Sequence, residues 1–558
     1  MQHFSTYDVS EPTLEIIDAR YAGIAEAVAQ AGTVDEVMTH VATWEGVRRE
    51  MGTWASVFHI RFSQDTKDER NVRRMALADE LGPEVTKCDT HIIRALLSHP
   101  LREALTERLG ETAFQLWQCD ANSFDEVIKE DLVTEGTLSA EYSALMAGAE
   151  VTVNGEKMNL PSAAALAQDT DRETRQAAAT AYWGWFDENA GQIDQLFERL
   201  VSLRHGMAQK MGLSDYVTLG YNKMHRLDYT REDVERVRKL VRDKIVPICS
   251  RIRAKQAAAH GTERLSYVDE PVIDPRGNPK PVGDEAQLIS AAQSMFDELD
   301  DSMGSFFQLM QDKGLLDLQT RPGKAGGGYC DGILAEEVPF IFANFTGTKG
   351  DVSVFTHEAG HAFQCYASRN QPLVDYLCPT YESCEIHSMS LEYLTYPYMD
   401  RFFGDDADRF RDVHFAESLL FFPYGCAVDE FQHWVYENPK SGSEARKAEW
   451  MRLESVYLPW RDYDGLPAAS EGAFWHKQAH IFQVPFYYID YVLAGLCALQ
   501  FWSWAKRDPD AAMTSYIELC ARGGSAPFRA LAASAGLTPP FEPNALDAVL
   551  PEVERAIG

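Results

Sequence analysis

The sequence predicts a mainly α-helical protein with a small β-sheet beside one central helix. Three observations carry this reading. Most of the 558 residues fall in stretches whose apolar side chains recur every three or four positions, with few breakers. Only two segments read as extended: an Asn-Gly hairpin around residue 154, and an apolar run ending at Phe345. The second leads directly into a helical stretch bearing His357-Glu358-Ala359-Gly360-His361. A chain of this length can build two lobes. We divide it into an N-terminal helical lobe, 1–165, and a region carrying the chemistry, 166–558, with the two lobes intertwined.

The elements follow in order. Residues 13–50, 66–110 and 161–213 have apolar side chains at helical spacing. The aromatic run Tyr182-Trp183-Gly184-Trp185 brings no clear break, so Ala177 to Gln209 reads as one or two continuous helices. Val151 to Met158 is a hairpin with Asn154-Gly155 as its turn. Pro271 to Pro281 is a loop, and helices resume from Asp284 to about Leu316. The glycine-rich stretch from Gly323 to Cys330 lacks the Gly-Lys-Ser/Thr ending of a phosphate loop. Gly326, Gly327 and Gly328, followed by Tyr329, instead suit close approach of a substrate backbone or a plain turn. Pro339 to Phe345 reads as a strand, whose edge at Ala343 and Asn344 can pair with an extended peptide.

Asp351 is placed to cap a helix starting at Val352. Val352, Phe355, Ala359, Ala362, Phe363 and Tyr366 then form an apolar face, and Gly360 permits close backbone packing. His357 and His361 lie one turn apart on one side, so both imidazoles reach a single metal ion. Glu358 sits about 100° round the helix, near the metal and free to act as a base. The pattern points to amide hydrolysis by a zinc-activated water. A metzincin extension needs glycine at 364 and histidine at 367, where this chain has Gln364 and Ala367. Downstream, Glu385 and Glu392 are seven apart and share one helical face. A carboxylate there can complete a two-histidine, one-glutamate ligand set, and Glu392 can instead accept a hydrogen bond from a ligand histidine. Glu382 competes as a ligand or orients one, while His387 points to a different side and reads as a core histidine or one that supports a ligand.

A third cluster lies near the carboxy terminus. His476 and His480 are spaced by one helical turn, and Tyr487, Tyr488 and Tyr491 follow. Such side chains suit donation to a tetrahedral oxyanion, or simply a core. Phe486 to Ala505 is apolar but contains Asp490 and Gln500, and reads as a buried helix rather than a membrane span.

Net charge is −33, which repels nucleic acid and anionic membranes and tolerates neutral or basic peptides. The ten cysteines make no Cys-x-x-Cys pair. Cys330, Cys365, Cys378 and Cys384 fall near the candidate site without zinc-finger spacing. No secretory signal is visible at the amino terminus, so reduced thiols in a cytoplasmic protein are expected.

Taken together, Phe340 to Phe345, His357-Glu358-Ala359-Gly360-His361, Glu385 with Glu392, Gly326 to Tyr329 and Pro485 to Tyr491 resemble the oligoendopeptidase F and thimet oligopeptidase family of zinc peptidases, and most of all its bacterial oligoendopeptidase F branch, including the Pz-peptidase type. The resemblance runs from about residue 140 to 500. It implies a two-lobed helical fold around a deep channel that admits short peptides and excludes folded proteins. It also implies one Zn2+ on His357, His361 and Glu385, with Glu358 as general base. His480 and Tyr491 resemble the donors to the transition state, with Tyr487 and Tyr488 as rivals. The expected activity is internal cleavage of short unstructured peptides. The alternatives are a zinc carboxypeptidase, for which Arg369 or Lys349 would hold the free carboxylate, and a non-catalytic peptide-binding protein. Cobalt or manganese can occupy such a site, and the oligomeric state is open.

Overall fold

The computed structural model describes residues 2–558. The first amphipathic stretch divides into helices Leu14–Tyr21, Ile24–Gln30 and Val34–Gln64. Gly23, at φ 74°, separates the first two, and Thr33 and Glu36 form a capping box at the third. The next stretch is Glu69–Leu97 followed by Arg102–Leu109. Arg172–Lys210 is one continuous helix of 39 residues, started by the Asp171 side chain accepting from the Thr174 N–H. The aromatic run does not interrupt it because Trp183 is buried against Phe474, ring centroids 5.0 Å apart.

The hairpin forms as expected, with β1 (Val151–Val153) antiparallel to β2 (Glu156–Met158). Asn154 at φ 52° and Gly155 at φ 88° are both left-handed, as a tight hairpin turn of this hand requires. A second sheet contains β3 (Leu316–Gln319), β4 (Tyr329–Ile333) and β5 (Val338–Phe345) in the order β3-β5-β4. β3 runs parallel to β5, and β4 pairs antiparallel with it, Tyr329 opposite Phe342 and Ile333 opposite Val338.

This order corrects the reading of Pro339 to Phe345 as an edge. β5 is the central strand, and its continuous apolar run from Val338 to Ala343 is buried. A strand covered on both faces needs no polar alternation, so its central place is not legible in its pattern. β4 forms the outer edge on the glycine-loop side.

Apolar side chains gather in two cores. The smaller runs from Ile17 to Trp117 and recruits Leu373 and Tyr376. The larger takes Ile128, Tyr142, Val151 and Leu160 together with most of the carboxy-terminal chain. Phe4, Val57 and Ile60 also join the larger core, so the two cores interleave along the chain. The apolar segment near 490 is a buried helix, Tyr488–Ala505. Among the described residues, no helix is long and apolar enough to cross a membrane. The HEAGH helix, Lys349–Ala367, packs between β5 and the helix Tyr381–Leu394, which in turn packs on Tyr488–Ala505. These contacts bring the three chemical clusters together.

Candidate active site

The HEAGH helix begins at Lys349, three residues before the expected start. Asp351 sits in its first turn, and its carboxylate accepts from the backbone N–H groups of Thr346, Gly347 and Thr348 at 3.0, 2.6 and 3.3 Å. Gly360 explains how closely the next helix approaches. A Cβ there would lie 2.7 Å from the His387 carbonyl oxygen and from Ser388 Cα. This contact sets Glu385 opposite the two histidines.

His357 Nε2 is 3.2 Å and His361 Nε2 3.5 Å from the same Glu385 oxygen, Oε2. One donor atom from each of the three residues lies within 4.8 Å of the others. Ser388 Oγ donates to Glu385 Oε2 at 2.8 Å, and the Tyr487 hydroxyl to Oε1 at 2.6 Å. Burial alone would raise the Glu385 carboxyl, but the facing His361 and His357 hold it well below the usual range.

On the far side of His357, Nδ1 is 2.7 Å from Glu392 Oε1. Glu392 Oε2 is 2.6 Å from His414 Nε2, and His414 Nδ1 is 2.7 Å from the Tyr396 hydroxyl. Burial works against ionised Glu392, yet the two imidazoles bring its carboxyl down to about 2. With the His357 Nδ1 proton held by this carboxylate, Nε2 is left as a lone-pair donor toward Glu385. Two imidazole nitrogens and an ionised carboxylate oxygen converging on one point fit a divalent transition metal.

Glu358 is 7% exposed, and no described residue hydrogen-bonds its carboxylate. Burial raises its pKa, against the pull of His357 and His361. It faces the glycine loop: a Cβ on Gly328 would lie 3.7 Å from Glu358 Oε1 and 2.8 Å from Val354 Cγ1. Gly327 is left-handed at φ 89°, and Gly326 borders open space. Asn344 Nδ2 donates to the carbonyls of Ala325 and Gly327, both at 2.9 Å. Ala343 is 1% exposed, and its carbonyl accepts from Lys324 Nζ at 2.6 Å. Ala343 and Asn344, just beyond the last β4–β5 pair of Tyr329 with Phe342, thus brace the glycine loop. Tyr329 stacks on Phe342 at 4.9 Å and packs against His59 at 4.7 Å.

His480 reaches the same region and His476 does not. A short 3-10 turn, Phe474–Lys477, ends at Gln478, and a new helix runs Ala479–Gln483. The single helical face expected for both histidines is broken there. His476 is buried with Nε2 2.9 Å from Asp194 Oδ1. The His480 ring lies 5.7, 5.2 and 6.0 Å from the rings of Tyr487, Tyr488 and Tyr491. Burial lowers its pKa, opposed by Glu385.

The remaining candidates go elsewhere. Glu382 pairs with buried Arg226, which also binds Asp490 and the Phe486 carbonyl. His387 is fully buried with both ring nitrogens unpartnered, and burial lowers it to about 4. Lys349 is paired with Glu417, and Arg369 lies 3.7 Å over the Tyr366 ring. His414, Tyr396, Ser388 and Gln478 escaped the sequence reading. A histidine inside the long buried helix Ala407–Glu437 was the available signal for His414, since a buried imidazole needs a partner.

Two family profiles match: the peptidase M3 N-terminal domain over residues 4–124 and peptidase family M3 over 299–549. No curated protein matches the chain. Solved structures do. A chain assigned as oligoendopeptidase F, solved at 3.1 Å, is 40% identical, with a TM-score of 0.96, over 100% of this chain and 99% of that one. Pz peptidase A with an inhibitor is 39% identical, with a TM-score of 0.96, over 99% of both chains. A chain assigned as oligoendopeptidase F from Bacillus anthracis str. Ames is 39% identical, with a TM-score of 0.91, over 100% of this chain and 98% of that one. Full-length likeness at this identity, with the M3 profile spanning every residue of the candidate metal centre, leads to one conclusion: the chain belongs to peptidase family M3 and is a metallopeptidase.

Proposed function

We propose that the protein is a zinc oligoendopeptidase that cuts internal bonds of short, unstructured peptides. The observation that carries this is Glu358: a buried carboxylate without a hydrogen-bond partner among the described residues, set beside His357, His361 and Glu385. Binding a peptide needs no such base. Bound zinc would supply Lewis acidity, lowering the pKa of a coordinated water and polarising the scissile carbonyl. Glu358, made more basic by burial, takes the water proton and passes it to the leaving amine. His480 and a hydroxyl from the Tyr487, Tyr488 and Tyr491 group donate to the carbonyl oxygen as charge develops there. Of the three, Tyr487 already donates to Glu385, which leaves Tyr491 and Tyr488 as the candidate donors.

Peptide binding is assigned to the glycine loop and the β4 edge, with Gly326, Gly327, Gly328 and Tyr329 along the path. The relatives named oligoendopeptidase F and Pz peptidase support peptides as the substrate class. We place the activity in the cytoplasm, consistent with ten free cysteines. The carboxypeptidase reading weakens because Lys349 and Arg369 are already engaged.

The test is Glu358→Gln. It should retain one zinc per chain and lose cleavage of a quenched peptide blocked at both ends. Undiminished cleavage by this variant would remove Glu358 from the reaction. Failure of the native enzyme to cut any doubly blocked peptide would favour an exopeptidase.

A further inference from the structure

Gln478 occupies the break between the turn Phe474–Lys477 and the helix Ala479–Gln483, and it is 8% exposed. Its side chain is held at both ends. The Tyr424 hydroxyl, from the helix Ala407–Glu437, donates to Oε1 at 2.8 Å. Nε2 in turn donates to His480 Nδ1 at 2.8 Å. A ring nitrogen that accepts cannot carry the proton, so the neutral imidazole carries it on Nε2. The ring plane is also set, lying parallel to Tyr487 within 2° and meeting the rings of Tyr488 and Tyr491 edge-on. The charged group facing His480 is Glu385, from the helix Tyr381–Leu394.

We infer that Gln478, oriented by Tyr424, is a positioning residue that keeps the His480 proton on Nε2, so that His480 meets substrate as a hydrogen-bond donor. This rests on the reading of His480 as a donor to the oxyanion. Without the amide, neutral imidazole divides between two tautomers, and only one of them donates from Nε2. Buried glutamine in a donor-acceptor relay of this kind acts on the reaction and not on substrate affinity, so its signature is in kcat.

The experiment compares zinc-loaded full-length wild type with Gln478→Met, Gln478→Glu, Tyr424→Phe and His480→Phe on a quenched peptide. His480→Phe should lower kcat by about 10²–10³-fold, the usual loss for one oxyanion donor. Gln478→Met should lower kcat by about tenfold with KM nearly unchanged, and Tyr424→Phe by less, in the same direction. Gln478→Glu replaces the donor by an acceptor. Nε2 then carries a proton only in the imidazolium, and kcat should fall with rising pH through the neutral range where wild type is flat. In ¹⁵N NMR of histidine-labelled protein, the signals lost in His480→Phe should show an unprotonated Nδ1 in wild type and a protonated one in Gln478→Glu.

Wild-type kcat in Gln478→Met, alongside a large loss in His480→Phe, overturns the inference and leaves the role of His480 standing. So does a protonated Nδ1 in wild type. Loss of bound zinc from Gln478→Met in step with kcat overturns it as well, since the residue would then be structural. Wild-type kcat in His480→Phe instead removes the reading on which the inference rests.

Discussion

Glu392 Oε1 lies 2.7 Å from His357 Nδ1, a contact between two helices that fixes which nitrogen of His357 faces Glu385. The same carboxylate takes His414 on its other oxygen. Glu392→Ala should therefore weaken metal binding about 10- to 100-fold, the usual effect of removing such a partner. His414→Phe should have a smaller effect in the same direction. Competition against a chelator, with bound metal read directly, measures both. Unchanged affinity in Glu392→Ala would show that His357 needs no orienting group.

Gly360→Ala tests the packing that positions Glu385. Its Cβ would meet the backbone of His387 and Ser388 at 2.7 Å, atoms that cannot swing aside as a side chain can. Overpacking of this sort costs about 1–3 kcal/mol. A lower denaturation midpoint together with weaker metal binding is expected, because separating the helices moves Glu385 off the histidines. Titration of zinc into the folded variant separates the two effects.

Gly328→Val places a branched side chain between Val354 and Glu358. Little apolar core is disturbed, since Val354 is itself an exposed residue. The thermal midpoint should barely move while kcat/KM falls about 10- to 100-fold, as expected where reacting groups are displaced by an ångström. Peptide hydrolysis assays beside a thermal melt check the pair. An unaffected kcat/KM would take the glycine loop out of the substrate path.

Glu135 offers a pH-dependent test of stability remote from the metal. Arg204 and Lys223 bind its two oxygens at 2.6 and 2.9 Å. Burial opposes ionisation, but Arg204 and Lys223 lower its carboxyl from 4.5 to about 2. Its folded-state pKa lies below its unfolded value, so its contribution is complete above about pH 4.5 and is lost as pH falls toward about 2. Urea midpoints for wild type and Glu135→Gln should thus differ most at neutral pH and converge below about pH 4.5. A gap that stays constant down to pH 3 would mean the ion pairs contribute nothing.

Much of this protein is determined by local sequence. Helical periodicity identified the long helices, Asn154-Gly155 the hairpin, and the four-residue spacing of His357 and His361 their shared helical face. These features depend on backbone geometry over one or two turns, which a sequence carries within a short window. The tertiary structure decided what lies beyond that window. Whether β5 is an edge or a centre depends on β3 and β4, because a fully buried strand shows the same apolar run in either place. That His480 and not His476 joins the site depends on the break at Gln478. His414 and Tyr396 extend the hydrogen-bonded chain from His357, and Gln478 and Tyr424 the one from His480, through contacts between separate helices. Such polar partners satisfy one another only after the helices pack, so nothing in their spacing announces them.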